Sequence, residues 1–286
     1  DGGTRVGPGG AFLVPALRRP NLTLLTDTLV RRIQIADGRA VALDCRGPGG
    51  DLTLTADRIV LSAGAIGSAQ LLMLSGVGPA QALQSLGIPV EADLPVGIDT
   101  VDHPEWVLPV NWPPTHDVPP LEAVLTTADG LEIRPYTAGF GAMMSGRRDD
   151  PTDQPHLGVT LMRPLSRGRV ALASTDPRVV PIIEHRYDSE PADVDLLRSG
   201  TELAREIAGD TVQSRASWAT SQPLCGTARM GRAGDPAAGV GSRCRVHGVE
   251  GPWVVDGSIL PAITSRGPHA TIVMAGHRAA EFISSA

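Results

Sequence analysis

Residues Arg58 to Gly76, RIVLSAGAIGSAQLLMLSG, decide the fold. Arg58-Ile59-Val60-Leu61-Ser62 is a short strand with an apolar centre. AGAIG is a glycine-rich turn, and SAQLLMLSG continues as a helix that Gly76 stops at its C′ position. Pro79 then opens a further helix, AQALQSLG. Strand, turn, helix is a βα unit, and ligands of such units gather at the carboxyl ends of the strands. The local sequence leaves AGAIG with two readings: a turn facing a nucleotide, or a tight βα connection.

Upstream, GGAFLVPALRRP predicts a helix over about 11–18, ended by Pro20. Strands are predicted at 22–26, 30–36, 40–46 and 52–63, with turns at Asp37-Gly38 and Gly47–Gly50. Downstream, EPADVDLLRSGTELAREIAG is an amphipathic helix whose main apolar positions are Val194, Leu197, Leu203, Ala204 and Ile207, stopped by Gly209. Met143 to Pro155 is charged and turn-rich and reads as a solvated loop.

Composition narrows the function. The 42% hydrophobic content fits a globular chain, and 3% aromatic content argues against stacking surfaces. Net charge is −6 with no basic block, so no nucleic-acid partner is expected. All 25 basic residues are arginine, which removes Schiff-base chemistry through a lysine. Cys45, Cys225 and Cys244 are widely spaced and form no CxxC pair, so neither a metal site nor a disulfide framework is expected. A reducing, cytoplasmic location follows, and no apolar run reaches the length of a transmembrane segment.

Gly64 to Pro79, GAIGSAQLLMLSGVGP, is similar to the second signature of the glucose–methanol–choline (GMC) oxidoreductases. It departs at Ala69, where the family pattern has Pro or Ser. Further resemblances follow in the family's order: LPVGIDTVDHPEW (94–106), PLSRGRVALASTDPRVVPIIEHRY (164–187), CGTARMG (225–231) and GPWVVDGSILPAITSRGPHATIVMAGHRAAEFI (251–283). The implied fold is α/β (α+β): a partial, Rossmann-like FAD-binding domain interleaved with an antiparallel-sheet substrate domain. Residues 1–98 would be the second part of the FAD domain, 99–222 the substrate domain and 223–286 the return to the FAD domain, with the family's C-terminal region at about 160–283. No GxGxxG occurs in the chain. The resemblance therefore implies an N-terminally truncated fragment, lacking a dinucleotide-binding segment of about one to two hundred residues.

The resemblance implies hydride transfer from a CH–OH group to flavin N5 while a base takes the hydroxyl proton. The family's first catalytic histidine falls at Pro223, which has no proton to exchange. Its second His or Asn position falls at His269, the expected proton-handling residue. For the cofactor, the resemblance assigns Val30, Ala63 and Gly64 to the adenine end, and Asp256 and Gly257 to the pyrophosphate and ribityl chain. It assigns His269, Ala270 and Thr271 to the flavin's pyrimidine side. His103 reads as a structural turn residue and His277 as a residue of the last helix, while His116, His156, His185 and His247 have no constellation around them. The expected cofactor is non-covalent FAD and the expected substrate a small-molecule alcohol; the electron acceptor stays open. A degenerate, non-catalytic protein, one chain of a two-chain flavoenzyme, and a mycofactocin-linked dehydrogenase using a peptide-derived carrier are the alternatives.

Overall fold

The computed structural model describes residues 6–115, 119–138, 154–212 and 215–285. His116 and residues 143–153 of the predicted loop lie outside them. Strand β1 (Leu29–Ala36) turns at Asp37-Gly38 into β2 (Arg39–Gly47), and β3 (Gly50–Thr55) completes an antiparallel sheet. The deciding unit forms as read: β4 (Ile59–Leu61), a turn, and helix α1 (Gly64–Leu74). Gly76 follows α1 at φ +85°, where a side chain would overlap the Pro89 carbonyl oxygen. β5 (Val77–Gly78) and α2 (Ala80–Ser85) come next, and β6 (Ala92–Asp93) pairs in parallel with β5.

β7 (Pro104–Pro109), β8 (Leu125–Thr126), β9 (Leu131–Tyr136), β10 (His156–Leu161) and β13 (Ser217–Thr220) build one antiparallel sheet in the order β13-β7-β10-β9-β8. β11 (Arg169–Ala171) and β12 (Ile182–Glu184) form a hairpin-like pair, and α3 (Pro191–Ala208) packs on the five-stranded sheet. The chain then returns through β14 (Pro252–Val254), which pairs in parallel with β4, and ends in α4 (His269–Ser284). Two apolar clusters result. One joins Ile33, Ile59, Leu61, Leu72, Met73 and Val254 around α1, with Ala69 fully buried among them. The other lies between the five-stranded sheet and α3.

That sheet is two-faced, as the period of two along a strand requires. Leu108, Leu131, Ile133, Leu157, Val159 and Leu161 pack with Leu197 and Ala204 of α3. The alternate positions Glu105, Glu132, Arg134 and Thr160 are buried too, and they carry polar groups on the opposite face.

Three sequence expectations need correction. Residues 22–26 form no strand and are exposed; among the described residues no strand pairs with them to satisfy their backbone groups. The predicted strand over 52–63 divides at Ala56–Arg58: β3 joins β2 and β4 joins β14, so one apolar-looking run serves two sheets. On α3 the expected Leu197 and Ala204 are buried and Leu203 packs beside them, with Asp193, Gly200 and Thr201 also buried, but Ile207 is 60% exposed. A side chain at Gly200 would overlap Leu131 and Val159, so small residues, not the largest apolar ones, mark the close helix–sheet contact. The N-terminal helical segment runs over Gly9–Leu13 and Val14–Ala16, slightly ahead of its predicted span.

Candidate active site

AGAIG closes on itself. The Ala63 amide donates to Ser68 Oγ at 3.1 Å, and the Gly64 amide donates to Asp256 Oδ2 at 3.0 Å. Ser68 Oγ also donates to Asp256 Oδ2 (2.5 Å), and the Ser258 amide donates to Oδ1 (2.8 Å). Asp256, just past β14, thus caps the α1 start and stitches together the ends of the two paired strands. Thr227 Oγ1 adds a bond to the Ala65 carbonyl at 2.7 Å. AGAIG thus forms a tight βα connection with a carboxylate at the helix start, an arrangement compatible with either reading of the turn. Replacing Asp256 with Ala strands two amides and a hydroxyl in a site only 7% exposed. Hydrogen bonds to a charged group are worth about 1.5–3 kcal/mol each, so a loss of about 3 kcal/mol in denaturant unfolding is expected. A loss under about 0.5 kcal/mol, the size of an ordinary surface change, would show that the tie carries no stability.

Three of the predicted cofactor residues line two clefts, and Gly64, Asp256, Gly257, Ala270 and Thr271 line neither. Val30 and Ala63 line one of about 360 Å³, with Ile59, Val60, Gly67 and Leu71. His269 lines the other, of about 330 Å³, together with Pro223. Gly257 sits beside the second cleft, since a side chain there would touch Leu224, Cys225 and Ile272. Ala270 and Thr271 continue the first turn of α4, which starts with no side-chain cap. Its leading amides are therefore left for solvent or a ligand, and His269 and Ala270 are exposed. A still larger cleft, about 520 Å³, runs past β1 and the end of α1 and contains none of the predicted residues.

Around Pro223 and His269 the structure adds His103, Arg134, Ser221 and Gln222. Gln222 takes a left-handed conformation, φ +69°, and its amide donates to Thr220 Oγ1 at 2.8 Å. A turn strained by about 1–3 kcal/mol thus aims this segment at the cleft. His103 is fully buried; its Nε2 donates to the Thr264 carbonyl at 2.9 Å, and burial holds its pKa below the ordinary value, so the ring is neutral. The ring ties the sheet to the segment before α4, in keeping with its structural reading. The Asp102 carboxylate beside it accepts from Tyr187 Oη, Thr220 Oγ1 and the His103 amide. Cys225 borders the site, but burial pushes its thiol up to about 12, which rules out a thiolate nucleophile at neutral pH.

Arg134 is the centre of charge. Its Nη2 and Nε donate to Glu132 Oε2 at 2.7 and 2.9 Å, and Nη1 faces Glu105 Oε2 at 3.3 Å and Ser221 Oγ. Thr160 Oγ1 donates to Glu105 at 2.8 Å, and Arg266, three residues before His269, donates to Glu132 Oε1 at 2.9 Å. A side chain at Gly158 would overlap the Glu105 carboxylate, so that glycine makes room for the cluster. Sequence reading missed Arg134, Glu105, Glu132 and Ser221. The alternation in LEIRPY (131–136) was the available signal: two charges interleaved with apolar residues in a buried strand.

Profiles of the GMC oxidoreductase family match residues 1–105 and 164–276. The chain belongs to the GMC oxidoreductase family. It is 38% identical to an uncharacterized GMC-type oxidoreductase of Rhodococcus erythropolis, over 98% of this chain and 60% of that protein. It is 32% identical to the oxygen-dependent choline dehydrogenase of Sinorhizobium medicae, over 98% of this chain and 61% of the relative. Among solved structures, pyridoxine 4-oxidase from Mesorbium loti superposes with a TM-score of 0.82 at 25% identity, covering 98% of this chain and 62% of that one. This GMC chain thus spans about three fifths of the length of the relatives it matches. Among its described residues no helix is long and apolar enough to cross a membrane, and no cluster of His, Cys, Asp or Glu could hold a metal ion.

Proposed function

We propose that the whole protein is an FAD-dependent oxidoreductase acting on CH–OH groups of small alcohols. This chain would supply the substrate-facing sheet and the C-terminal side of the flavin site. One observation carries the reading: a single cleft gathers the Ser221–Pro223 turn, the uncapped start of α4 with His269, and Arg134 from the polar face of the sheet. The fit to FAD is partial within these residues. The start of α4 offers free amides and a dipole suited to negative charge on a flavin pyrimidine ring. At the start of α1 the Gly64 amide is already held by Asp256.

FAD would supply the hydride acceptor. His269 would take or hold the proton of the substrate hydroxyl; Ala270 and Thr271 would keep their amides toward the ring. Pro223 contributes no proton, so proton handling falls to His269 alone among the two family positions. Binding would be non-covalent.

Pro223 also favours a second reading, a non-catalytic member that binds FAD without turnover. The test separates them. The full-length polypeptide is purified, treated with acid, and its supernatant assayed for FAD; the untreated protein is then mixed anaerobically with primary and secondary alcohols. Released FAD and bleaching of the oxidised flavin by an alcohol support the enzyme. Released FAD with no bleaching by any alcohol supports the non-catalytic reading, and flavin left in the precipitate overturns non-covalent binding.

A further inference from the structure

The cleft that holds His269 takes Ser221, Gln222 and Pro223 from one stretch of chain and Gly267, Pro268 and His269 from another. The second stretch is lightly held. Residues 261–267 run from the short turn at Gly257–Ile259 toward α4, and among the described residues none of them makes a backbone–backbone hydrogen bond. Two hydrogen bonds stay inside the stretch: Thr264 Oγ1 donates to the Arg266 carbonyl, and Arg266 Nη1 donates to the Ser265 carbonyl. Two reach outward. His103 Nε2 donates to the Thr264 carbonyl at 2.9 Å, and Arg266 Nη1 donates to Glu132 Oε1 at 2.9 Å. A segment without backbone pairing opens locally unless such side-chain ties fix it.

Glu132 serves both stretches. Its Oε1 holds Arg266, while its Oε2 accepts from Nε and Nη2 of Arg134. Arg134 Nη1 in turn donates to Ser221 Oγ. Glu132 lies on β9, where the backbone is paired on both sides, opposite Thr160 of β10 and Thr126 of β8. Its side chain is 6% exposed. The two oxygens of a carboxylate keep a fixed spacing, so one rigid group on a paired strand reaches the Pro223 turn and the His269 segment together. Charge favours the same arrangement. With both carboxyls ionised, Glu105, Glu132 and Arg134 carry one net negative charge, and Arg266 meets it from the His269 side.

We propose that Glu132 is a positioning residue of the candidate active site: through Arg134 and Arg266 it sets the gap between the Ser221–Pro223 turn and His269. The proposal rests on reading that cleft as the site of alcohol oxidation. Misplacing a catalytic group by about 1 Å can cost about a hundredfold in rate, so a tie remote from the reacting atoms can still govern turnover.

Arg266→Gln is the variant that tests it, because this arginine is 64% exposed and its loss should leave the global unfolding midpoint unchanged. Arg198→Gln, which breaks the exposed pair with Asp195 on α3, controls for the lost charge. Two readouts are taken on the full-length flavoprotein. The first is native-state cleavage by thermolysin before Ile263, located by mass spectrometry. Arg266→Gln is expected to speed it at least about tenfold, and Arg198→Gln to leave it alone. The second is the anaerobic rate constant of flavin reduction at saturating alcohol, which does not depend on the fraction of protein folded. It should fall about tenfold or more, with the half-saturating alcohol concentration within about threefold of the parent. Arg266→Lys should restore both readouts to within about threefold. In a Glu132→Gln background, Arg266→Gln should have no further effect.

Unchanged cleavage at Ile263 overturns the tie. Faster cleavage with an unchanged reduction rate overturns the positioning role, and so does a full additional loss in the Glu132→Gln background. A parent protein that no alcohol reduces overturns the active-site reading instead, and the tie then stands or falls on the cleavage rate.

Discussion

Arg134→Ala is expected to destabilise the protein by about 3–5 kcal/mol, the cost of removing one partner from a buried ion cluster. The side chains of Arg134, Glu105 and Glu132 are 10%, 4% and 6% exposed, so solvent cannot replace the lost guanidinium. Glu132 keeps Arg266 as a partner, whereas Glu105 keeps hydroxyl groups and the electrostatic influence of His156 but no arginine among the described ion pairs. The loss should therefore depend on pH through Glu105. Burial already raises the Glu105 pKa above its ordinary value, and removing Arg134 raises it further. A carboxyl whose folded pKa lies above its unfolded pKa binds more protons when folded. Its burial is tolerated below the unfolded value, near 4.5, and becomes destabilising as pH rises through the folded value. Denaturant unfolding of Arg134→Ala should accordingly show a smaller deficit at about pH 4.5 than at about pH 8. Adding Glu105→Gln should recover much of the deficit at the higher pH. A deficit that is flat with pH, and indifferent to Glu105→Gln, would falsify the role given to the ion cluster.

His269→Ala is expected to lower kcat of the full-length enzyme by about two to four orders of magnitude, the usual contribution of general acid–base catalysis. The side chain is exposed at the start of α4, so its removal should leave stability within about 0.5 kcal/mol of the parent. Flavin content should be retained, because the first-turn amides stay in place. A proton-handling role predicts that kcat falls together with kcat/KM, since the interaction exists in the transition state and not in the ground state. His269→Asn, the other residue the family uses at this position, should retain more activity than His269→Ala. An Ala variant with the kcat of the parent would remove His269 from the chemistry and return it to a helix-start role. Pro223→His provides the complementary measurement: a gain in turnover would show that the first family position still points at the substrate.

Much of the fold was legible. The βα unit over 58–76 and the hairpin at Asp37-Gly38 follow from local rules: period, turn residues and a glycine C′. The order of motifs identified the family without a structure. Residues 22–26 were misread because strand propensity does not provide a strand partner. The run over 52–63 was misread because the break at Ala56–Arg58 changes sheets without any proline or glycine to mark it. On α3 the apolar positions Leu197, Leu203 and Ala204 face the sheet as expected, whereas Ile207 is exposed and the closest approach is set by Gly200 and Thr201, which carry no hydrophobic signal.

For the candidate site, the sequence by itself determined which residue types are available: proline at 223, histidine at 269, and an aspartate and glycine after β14. These follow from position within a motif, which is a property of one dimension. The tertiary structure alone decided what those residues face. It turned the Asp256 carboxylate inward onto the α1 start, where it acts as a cap. It brought Arg134, Ser221 and the Pro223 turn to one cleft with His269, from positions 46 to 135 residues away from that histidine in the chain by their numbers. It also buried Glu105 and Glu132 around that arginine. The physical reason is that a buried charge is tolerable only where an opposite charge arrives from elsewhere in the fold, and no local pattern records which distant strand will supply it.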